Sequence, residues 1–353
     1  MLLSCIAVAE DGPIVVSLGD SYSSGEGIEP FYGQDKPLLE RATDQDWLGH
    51  RSEKSWPGQL RVPGLDGTLS EHRGIYVLAE DGSYTLEQDG NWFFVAATGA
   101  QCRHLMEAES QTVRRKENGV KVKGTMALYP QLDIFQALAV DGKKADYVTL
   151  TLGGNDVGFV DLLAEAAING PLLGKHMAGL LGGESDYSLQ NTVANIWNTF
   201  YDTDGPRSTI LNAYRAVAKA AGPQATIIVA GYPLLISEES QAILGGESAA
   251  ILNLSVTRFN EEIEGIVNEL AGDGIDIHFV SVEAEFLGHE AYAPGTEYFN
   301  RLIFGPEKQD HSSALLVSMY SMHPNELGTQ AYARCVQAKI DELQARIALN
   351  EAS

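Results

Sequence analysis

Five short runs of almost uninterrupted apolar character recur along the 353-residue chain, most of them followed closely by Gly, Asp or Pro. They are Ile14–Leu18, Trp92–Ala96, Tyr147–Leu152, Thr226–Ala230 and Ile277–Val282. Runs of this kind are typical of strands buried on both faces. Helical patterns lie at Thr209–Ala221, at Ala249–Leu270 and from Pro324 onward. Because strands alternate with helices, the sequence predicts a parallel sheet of about five strands inside a three-layer α/β/α sandwich.

Three segments interrupt this pattern and are interpreted as insertions into one domain that spans residues 11–349. They lie near residues 25–90, 103–128 and 162–204. The first ends in a predicted hairpin that turns at Asp81-Gly82, and the second is a basic hairpin that turns at Asn118-Gly119. The third is rich in Leu and Gly. Insertions after the carboxyl ends of strands commonly form substrate walls and lids.

Composition excludes several classes of function. The formal net charge is −24, spread along the chain, which disfavours binding to nucleic acid and charge-driven docking on anionic membranes. Three scattered cysteines form neither a disulfide framework nor a metal site, and at most Cys102 and Cys335 form one bridge. No His/Asp/Glu spacing forms a metal ligand set, and no Gly-rich fingerprint follows a strand, so neither a metal nor a cofactor is expected.

Residues 1–10 allow two interpretations. Ala7-Val8-Ala9 after an apolar stretch is typical of the end of a secretory signal peptide, and Leu2-Leu3-Ser4-Cys5 loosely resembles a lipoprotein attachment site. The alternative is a frayed or short buried terminus. The first interpretation favours a secreted or cell-envelope protein.

The stretch Gly19-Asp20-Ser21-Tyr22-Ser23 directly follows the first apolar run. In an open α/β sheet, ligands bind at the carboxyl ends of the strands, so this position suits a nucleophilic hydroxyl. The small residues around Ser21 leave room for a substrate to reach its Oγ. Alternatively, Ser21 only caps the next helix.

A serine nucleophile needs a base and donors for the oxyanion. Gly99 and Asn155 follow the second and third runs, where an exposed amide and a carboxamide suit donor roles, although turn or cap roles are the alternatives. Among eight histidines, His323 stands before Pro324 near the end of the chain. Because a residue before proline is disfavoured in a helix, the His323 ring is expected on a loop above the sheet edge.

Four ordered blocks resemble those of the SGNH (GDSL-like) hydrolases, in particular their bacterial secreted esterase and lipase branch. The blocks are Gly19-Asp20-Ser21-Tyr22-Ser23, the Gly99 turn, Gly153-Gly154-Asn155-Asp156 and Ser321-Met322-His323-Pro324-Asn325. The resemblance implies a flavodoxin-like three-layer sandwich and a serine esterase. It also implies that Ser21 is the nucleophile and His323 the base. The oxyanion hole would then comprise the Ser21 and Gly99 amides and the Asn155 side chain.

One residue departs from the family pattern. Most members carry an Asp three residues before the histidine, whereas this chain has Tyr320. Because some members use a backbone carbonyl there, we expect a Ser21–His323 dyad whose imidazole is oriented by the Tyr320 carbonyl. Asp310 is the alternative source of a carboxylate.

The substrate class stays open between a lipid ester and an acetylated carbohydrate. The apolar third insertion favours an acyl chain, whereas Trp47, Trp56 and Trp92 suit a sugar platform if they are not core residues. A catalytically quiet binding module on the same fold is the alternative from another class. The sequence makes no prediction of oligomeric state.

Overall fold

A seven-stranded, mostly parallel sheet flanked by helices runs through the computed structural model, which describes residues 12–79, 81–158, 162, 189–239, 246–303 and 318–351. The strands are β1 Val15–Gly19, β2 Arg73–Leu78, β3 Tyr84–Gln88, β4 Trp92–Phe94, β7 Tyr147–Thr151, β8 Thr226–Ala230 and β9 Ile277–Val280. Their order across the sheet is β3-β2-β4-β1-β7-β8-β9. The predicted three-layer α/β/α fold is confirmed.

The expected number of about five strands was too small. All five predicted runs form strands, but β2 and β3 extend the sheet beyond β4. Strand β2 pairs parallel with β4, and β3 pairs antiparallel with β2 as the edge strand. Their residues are largely exposed or half-buried, so they lack the apolar character by which buried parallel strands are recognised.

Strand β1 occupies the centre of the sheet. All five of its residues are buried, and because successive side chains point to opposite faces, both faces are covered there. After β4 the chain crosses to the other side of β1 to form β7, so the strand order reverses beside β1. The crevice at the carboxyl end of such a reversal is where open α/β sheets bind ligands.

The helices, in chain order, are α1 Ser21–Ser24, α2 Leu38–Arg41, α3 Gln45–Leu48, α4 Asp133–Val140, α5 Leu189–Phe200, α6 Pro206–Ala221, α7 Gly246–Gly272, α8 Glu283–Phe286 and α9 Glu326–Glu351. Short 3₁₀ helices lie at Pro57–Gln59, Leu69–His72 and Cys102–Leu105. Helix α9 begins two residues later than predicted. The Asn325 side chain caps it by accepting the N–H groups of Leu327 and Gly328 at 3.0 and 3.1 Å.

The segment predicted to be the second insertion contains a two-stranded ribbon of β5 Glu109–Glu117 and β6 Val120–Leu128 that turns at Asn118-Gly119. Along the first half of β5, buried and exposed residues alternate, so one face of the ribbon packs onto the protein. Residues 163–188 of the third insertion and the amino-terminal residues 1–11 lie outside the described residues. No helix in the described ranges is long and apolar enough to cross a membrane.

Candidate active site

Ser21 lies on a tight turn between β1 and α1. The turn requires glycine at position 19, because its φ is +117° and a Cβ there would stand 2.2 Å from the Thr151 carbonyl oxygen. Asp20 caps α1 by accepting the Tyr22 N–H at 3.0 Å. Ser21 is consequently presented at the carboxyl end of the central strand with only 6% of its surface exposed.

Buried polar contacts fix Asp20 from the neighbouring strand ends. Its carboxylate accepts hydrogen bonds from Thr151 Oγ1 at 2.7 Å and from the Tyr232 hydroxyl. Tyr232 Oη also accepts the Gly154 N–H at 3.0 Å, which ties the loops after β7 and β8 to the serine turn. Burial raises the pKa of Asp20 to about 6, against the opposing effect of these hydrogen bonds.

His323 is positioned by a loop that pairs with residue 300. The Met322 N–H donates to the Asn300 carbonyl at 3.0 Å, and the Asn300 N–H donates to the His323 carbonyl at 2.9 Å. Tyr22 adds a link from the serine turn, since its hydroxyl donates to the Met322 carbonyl at 2.9 Å and its ring centroid lies 5.1 Å from that of His323. Tyr22 therefore links the turn that carries Ser21 to the loop that carries His323.

The structure brings Ser21 and His323 into hydrogen-bond contact. Ser21 Oγ lies 2.8 Å from His323 Nε2 although the two residues are 302 positions apart. His323 Nδ1 lies 3.1 Å from the Ser321 carbonyl oxygen. A carbonyl only accepts, so Nδ1 carries the proton and Nε2 is left to accept the Ser21 hydroxyl.

The residue expected to orient the imidazole was wrong by one position. The Tyr320 carbonyl faces the backbone N–H of His323 at 3.4 Å, and the Ser321 carbonyl is the one that faces Nδ1. Met322 has a φ of +59°, which turns the chain so that the carbonyl two residues before the histidine meets its ring. Asp310 lies outside the described residues.

A buried carboxylate adds negative charge near His323. The Glu26 and His50 side chains are both fully buried, and Glu26 lies 2.7 Å from His50 Nδ1. Burial lowers the pKa of His323 below its usual 6.5, while the Glu26 charge and the nearby Ser321 and Met319 carbonyls act to raise it. His323 is therefore neutral, and able to accept a proton, at neutral pH.

Three groups that follow the carboxyl ends of β1, β4 and β7 suit an oxyanion. Within the described ranges, the N–H groups of Ser21 and Gly99 donate to no other group. Gly99 is exposed between two buried neighbours and has a φ of +77°. The Asn155 amide donates one hydrogen to the Ala100 carbonyl at 2.9 Å, which brings it beside the Gly99 turn and leaves its second hydrogen available.

Gln131, a residue with no predicted role, supports the serine turn. Its Oε1 accepts the Gly19 N–H at 2.7 Å, and its Nε2 donates to the Gly19 carbonyl at 2.8 Å. One side chain thus satisfies both backbone groups of the residue where β1 ends. Nothing in the local sequence Tyr129-Pro130-Gln131-Leu132 indicates this bidentate contact.

Other candidates are structural. Trp47, Trp56 and Trp92 are each 0% exposed, so these core residues do not form a sugar platform. Cys102 and Cys335 are both free thiols. In the part of the chain that the structure describes, no group of three or more His, Cys, Asp or Glu side chains is arranged to hold a metal ion.

Two solved structures from Streptomyces are similar to this chain. An extracellular lipase from Streptomyces rimosus has a TM-score of 0.54 and 22% identity, over 93% of this chain and 99% of that chain. A phospholipase A1 from Streptomyces albidoflavus NA297 has a TM-score of 0.56 and 18% identity over the same shares. No protein-family model and no curated protein matches the sequence. At this level of identity, the likeness establishes a shared fold.

Proposed function

We propose that this protein is a serine esterase that hydrolyses carboxylic esters through an acyl-enzyme. The observation that carries the proposal is the 2.8 Å contact between Ser21 Oγ and His323 Nε2 at the carboxyl end of the central strand. A serine activated by a neighbouring imidazole is the arrangement that acyl transfer requires. A protein that only binds a ligand on the same fold does not require a serine hydroxyl paired with an imidazole.

The proposed reaction has two halves. Ser21 Oγ attacks the ester carbonyl carbon while Nε2 of His323 takes the hydroxyl proton. The tetrahedral intermediate then collapses, and His323 gives that proton to the leaving alcohol. In the second half, His323 takes a proton from water, the resulting hydroxide attacks the acyl-enzyme, and the carboxylic acid is released as Ser21 regains its proton.

Among the described residues, no carboxylate bonds directly to the imidazole, so the imidazolium formed in each half is stabilised by other groups. The Ser321 carbonyl accepts the Nδ1 proton and fixes the tautomer. The buried charge of Glu26 acts to raise the pKa of His323 and so favours the imidazolium. A carbonyl carries less negative charge than a carboxylate, so Glu26 is expected to supply part of the missing stabilisation.

The oxyanion is assigned to three donors, the N–H groups of Ser21 and Gly99 and the Nδ2 group of Asn155. Support comes from the two backbone N–H groups that have no other acceptor in the described ranges, and from the Asn155 amide held against Ala100. Donors fixed before the reaction stabilise developing charge without a reorganisation cost.

Lipid esters are the substrate class we favour. The two similar structures are described as a lipase and a phospholipase A1. The alternative of an acetylated carbohydrate depended on exposed tryptophans, and Trp47, Trp56 and Trp92 are buried. An extracellular location agrees with the first of these structures, which is an extracellular lipase.

The test is hydrolysis of p-nitrophenyl acetate, butyrate and palmitate, and of acetylated xylan, by wild type and Ser21→Ala. We expect the wild type to hydrolyse the longer acyl esters and Ser21→Ala to lose nearly all activity. Ser83→Ala, a serine exposed in the β2–β3 turn, is the matched control and should retain full activity. Equal rates for wild type and Ser21→Ala on every substrate would refute the esterase.

A further inference from the structure

Two polar side chains on the inward face of β5 contact the turn that carries Gly99. Glu109 and Gln111 are 6% and 8% exposed and occupy buried positions that alternate with exposed Ser110 and Thr112. A strand normally places apolar residues at such positions, because burying a polar group is costly unless it is hydrogen-bonded. The two residues therefore need partners on the protein surface beneath the ribbon.

Gln111 uses both amide hydrogens inside this contact. Its Nε2 donates to the Thr98 carbonyl at 3.0 Å and to Glu109 Oε1 at 2.8 Å. The first of these bonds joins the inserted ribbon to the loop after β4, and the second fixes the orientation of the Gln111 amide. Glu109 is itself close to that loop, since a Cβ at Gly99 would stand 3.2 Å from its Oε1.

The Thr98 carbonyl and the Gly99 N–H belong to the same peptide group. In a trans peptide these two bonds point in opposite directions, so a donor that holds the carbonyl on one side aims the N–H to the other. Glycine readily adopts alternative φ values, which makes a peptide that precedes it easy to rotate. The Gln111 bond is the side-chain contact on this carbonyl that opposes such a rotation.

We propose that Gln111 is a positioning residue that holds the Thr98–Gly99 peptide with its N–H directed at the oxyanion, and that Glu109 holds the Gln111 amide in turn. This inference rests on the proposed esterase function, in which the Gly99 N–H is an oxyanion donor. Donation to the carbonyl also polarises the peptide and strengthens its N–H as a donor. The ribbon thereby contributes to transition-state stabilisation without touching the substrate.

The test compares Gln111→Met, which keeps the length of the side chain and removes both hydrogen bonds, with wild type on p-nitrophenyl butyrate. We expect kcat to fall about 10- to 100-fold with KM changed less than about twofold, below the ~10²–10³-fold cost of deleting an oxyanion donor outright. Affinity for n-butylboronic acid, whose tetrahedral adduct on Ser21 places an oxygen in the oxyanion hole, should fall in parallel with kcat. A purely structural role would not weaken the boronate selectively.

Gln45→Met is the matched control. Gln45 also bridges backbone groups of the ribbon and its exit, donating to the Ala127 carbonyl and accepting the Tyr129 N–H, both at 2.9 Å, but it does not contact the Gly99 peptide. Its kcat and boronate affinity should match wild type. If Gln111→Met does not fold, Gln111→Asn replaces it, because its shorter amide stays polar but no longer reaches Thr98.

The outcomes separate the two proposals. If wild type is no more active than Ser21→Ala, the esterase function itself fails. If wild type is active and the folded Gln111 variant has wild-type kcat and boronate affinity, or shows only a raised KM, Gln111 has no positioning role. A loss in Gln45→Met equal to that in Gln111→Met would likewise overturn it, because ribbon stability would then explain both.

Discussion

Replacing Glu109 with Gln is expected to make the protein more stable in a strongly pH-dependent way. Burial raises the pKa of Glu109 to about 8 from 4.5, although Arg51, Arg103 and the Gln111 hydrogen bond act to lower it. His104 lies 3.5 Å away, but its Nδ1 already accepts the Gln101 N–H and does not donate to the carboxyl group. The folded protein therefore holds Glu109 protonated at neutral pH.

The sign of the effect follows from proton linkage. Between about pH 4.5 and about pH 8 the unfolded chain has released the Glu109 proton while the folded chain still binds it, so the free energy of unfolding falls as pH rises. The expected slope is about 1.4 kcal/mol per pH unit, which accumulates to about 5 kcal/mol by pH 8. Glu109→Gln keeps an oxygen to accept the Gln111 bond and removes this dependence.

The assay is urea unfolding of wild type and Glu109→Gln from pH 5 to pH 9. Subtracting the two free energies of unfolding cancels the titration of groups that both proteins share. The difference should favour Glu109→Gln increasingly up to about pH 8 and level off above it. A difference that stays constant over this range would show that Glu109 is not held protonated, and the description of its environment would be wrong.

Three further measurements test the site and the loops that hold it. The value of kcat/KM should fall about tenfold per pH unit on the acid side of the His323 pKa, and a midpoint above 6.5 in the pH profile would contradict the burial effect. Asn155→Ala should lower kcat by ~10²–10³ with little change in KM, and a loss below threefold would exclude it from the oxyanion hole. Tyr22→Phe leaves the Met322 carbonyl without its donor, so thermal or urea unfolding should record a loss of about 1–3 kcal/mol. Unchanged stability would mean that this link between the two loops is unimportant.

The sequence predicts the central strands because their burial leaves a direct signal. Val15–Gly19 is buried at every position, and a strand buried on both faces is recognised in the sequence by its nearly continuous apolar residues. Tyr84–Gln88 is mostly exposed, and it joins the sheet only because β2 pairs with β4. That pairing is a tertiary event with no local pattern, so the two outer strands were missed as members of the sheet.

Backbone conformation explains why the Ser321 carbonyl, and not the predicted Tyr320 carbonyl, faces His323 Nδ1. The proximity of Ser21 and His323 follows from the ordered motifs, but the choice between the Tyr320 and Ser321 carbonyls depends on the left-handed conformation of Met322. Methionine rarely adopts positive φ, so no local rule predicts it. The tertiary contacts through Tyr22 and Asn300 hold it there.

Side chains that hydrogen-bond to backbone groups far away in the sequence are even harder to predict from the sequence. Gln111 lies in a strand whose visible feature is its basic character, and Gln131 lies in a turn after the ribbon. Their contacts with Thr98 and Gly19 require the ribbon and the following loop to be docked on the sheet. Only the folded arrangement reveals which backbone groups they satisfy.

Covalent labelling tests the central claim, that His323 activates Ser21 as a nucleophile, most directly. Diethyl p-nitrophenyl phosphate should add one diethylphosphoryl group to each wild-type chain and release p-nitrophenolate, and peptide mass spectrometry should locate the group on Ser21. His323→Ala should react far more slowly, because the Ser21 hydroxyl then lacks the base that lies 2.8 Å away. Labelling at another residue, or labelling of Ser21 at an equal rate without His323, would contradict the account.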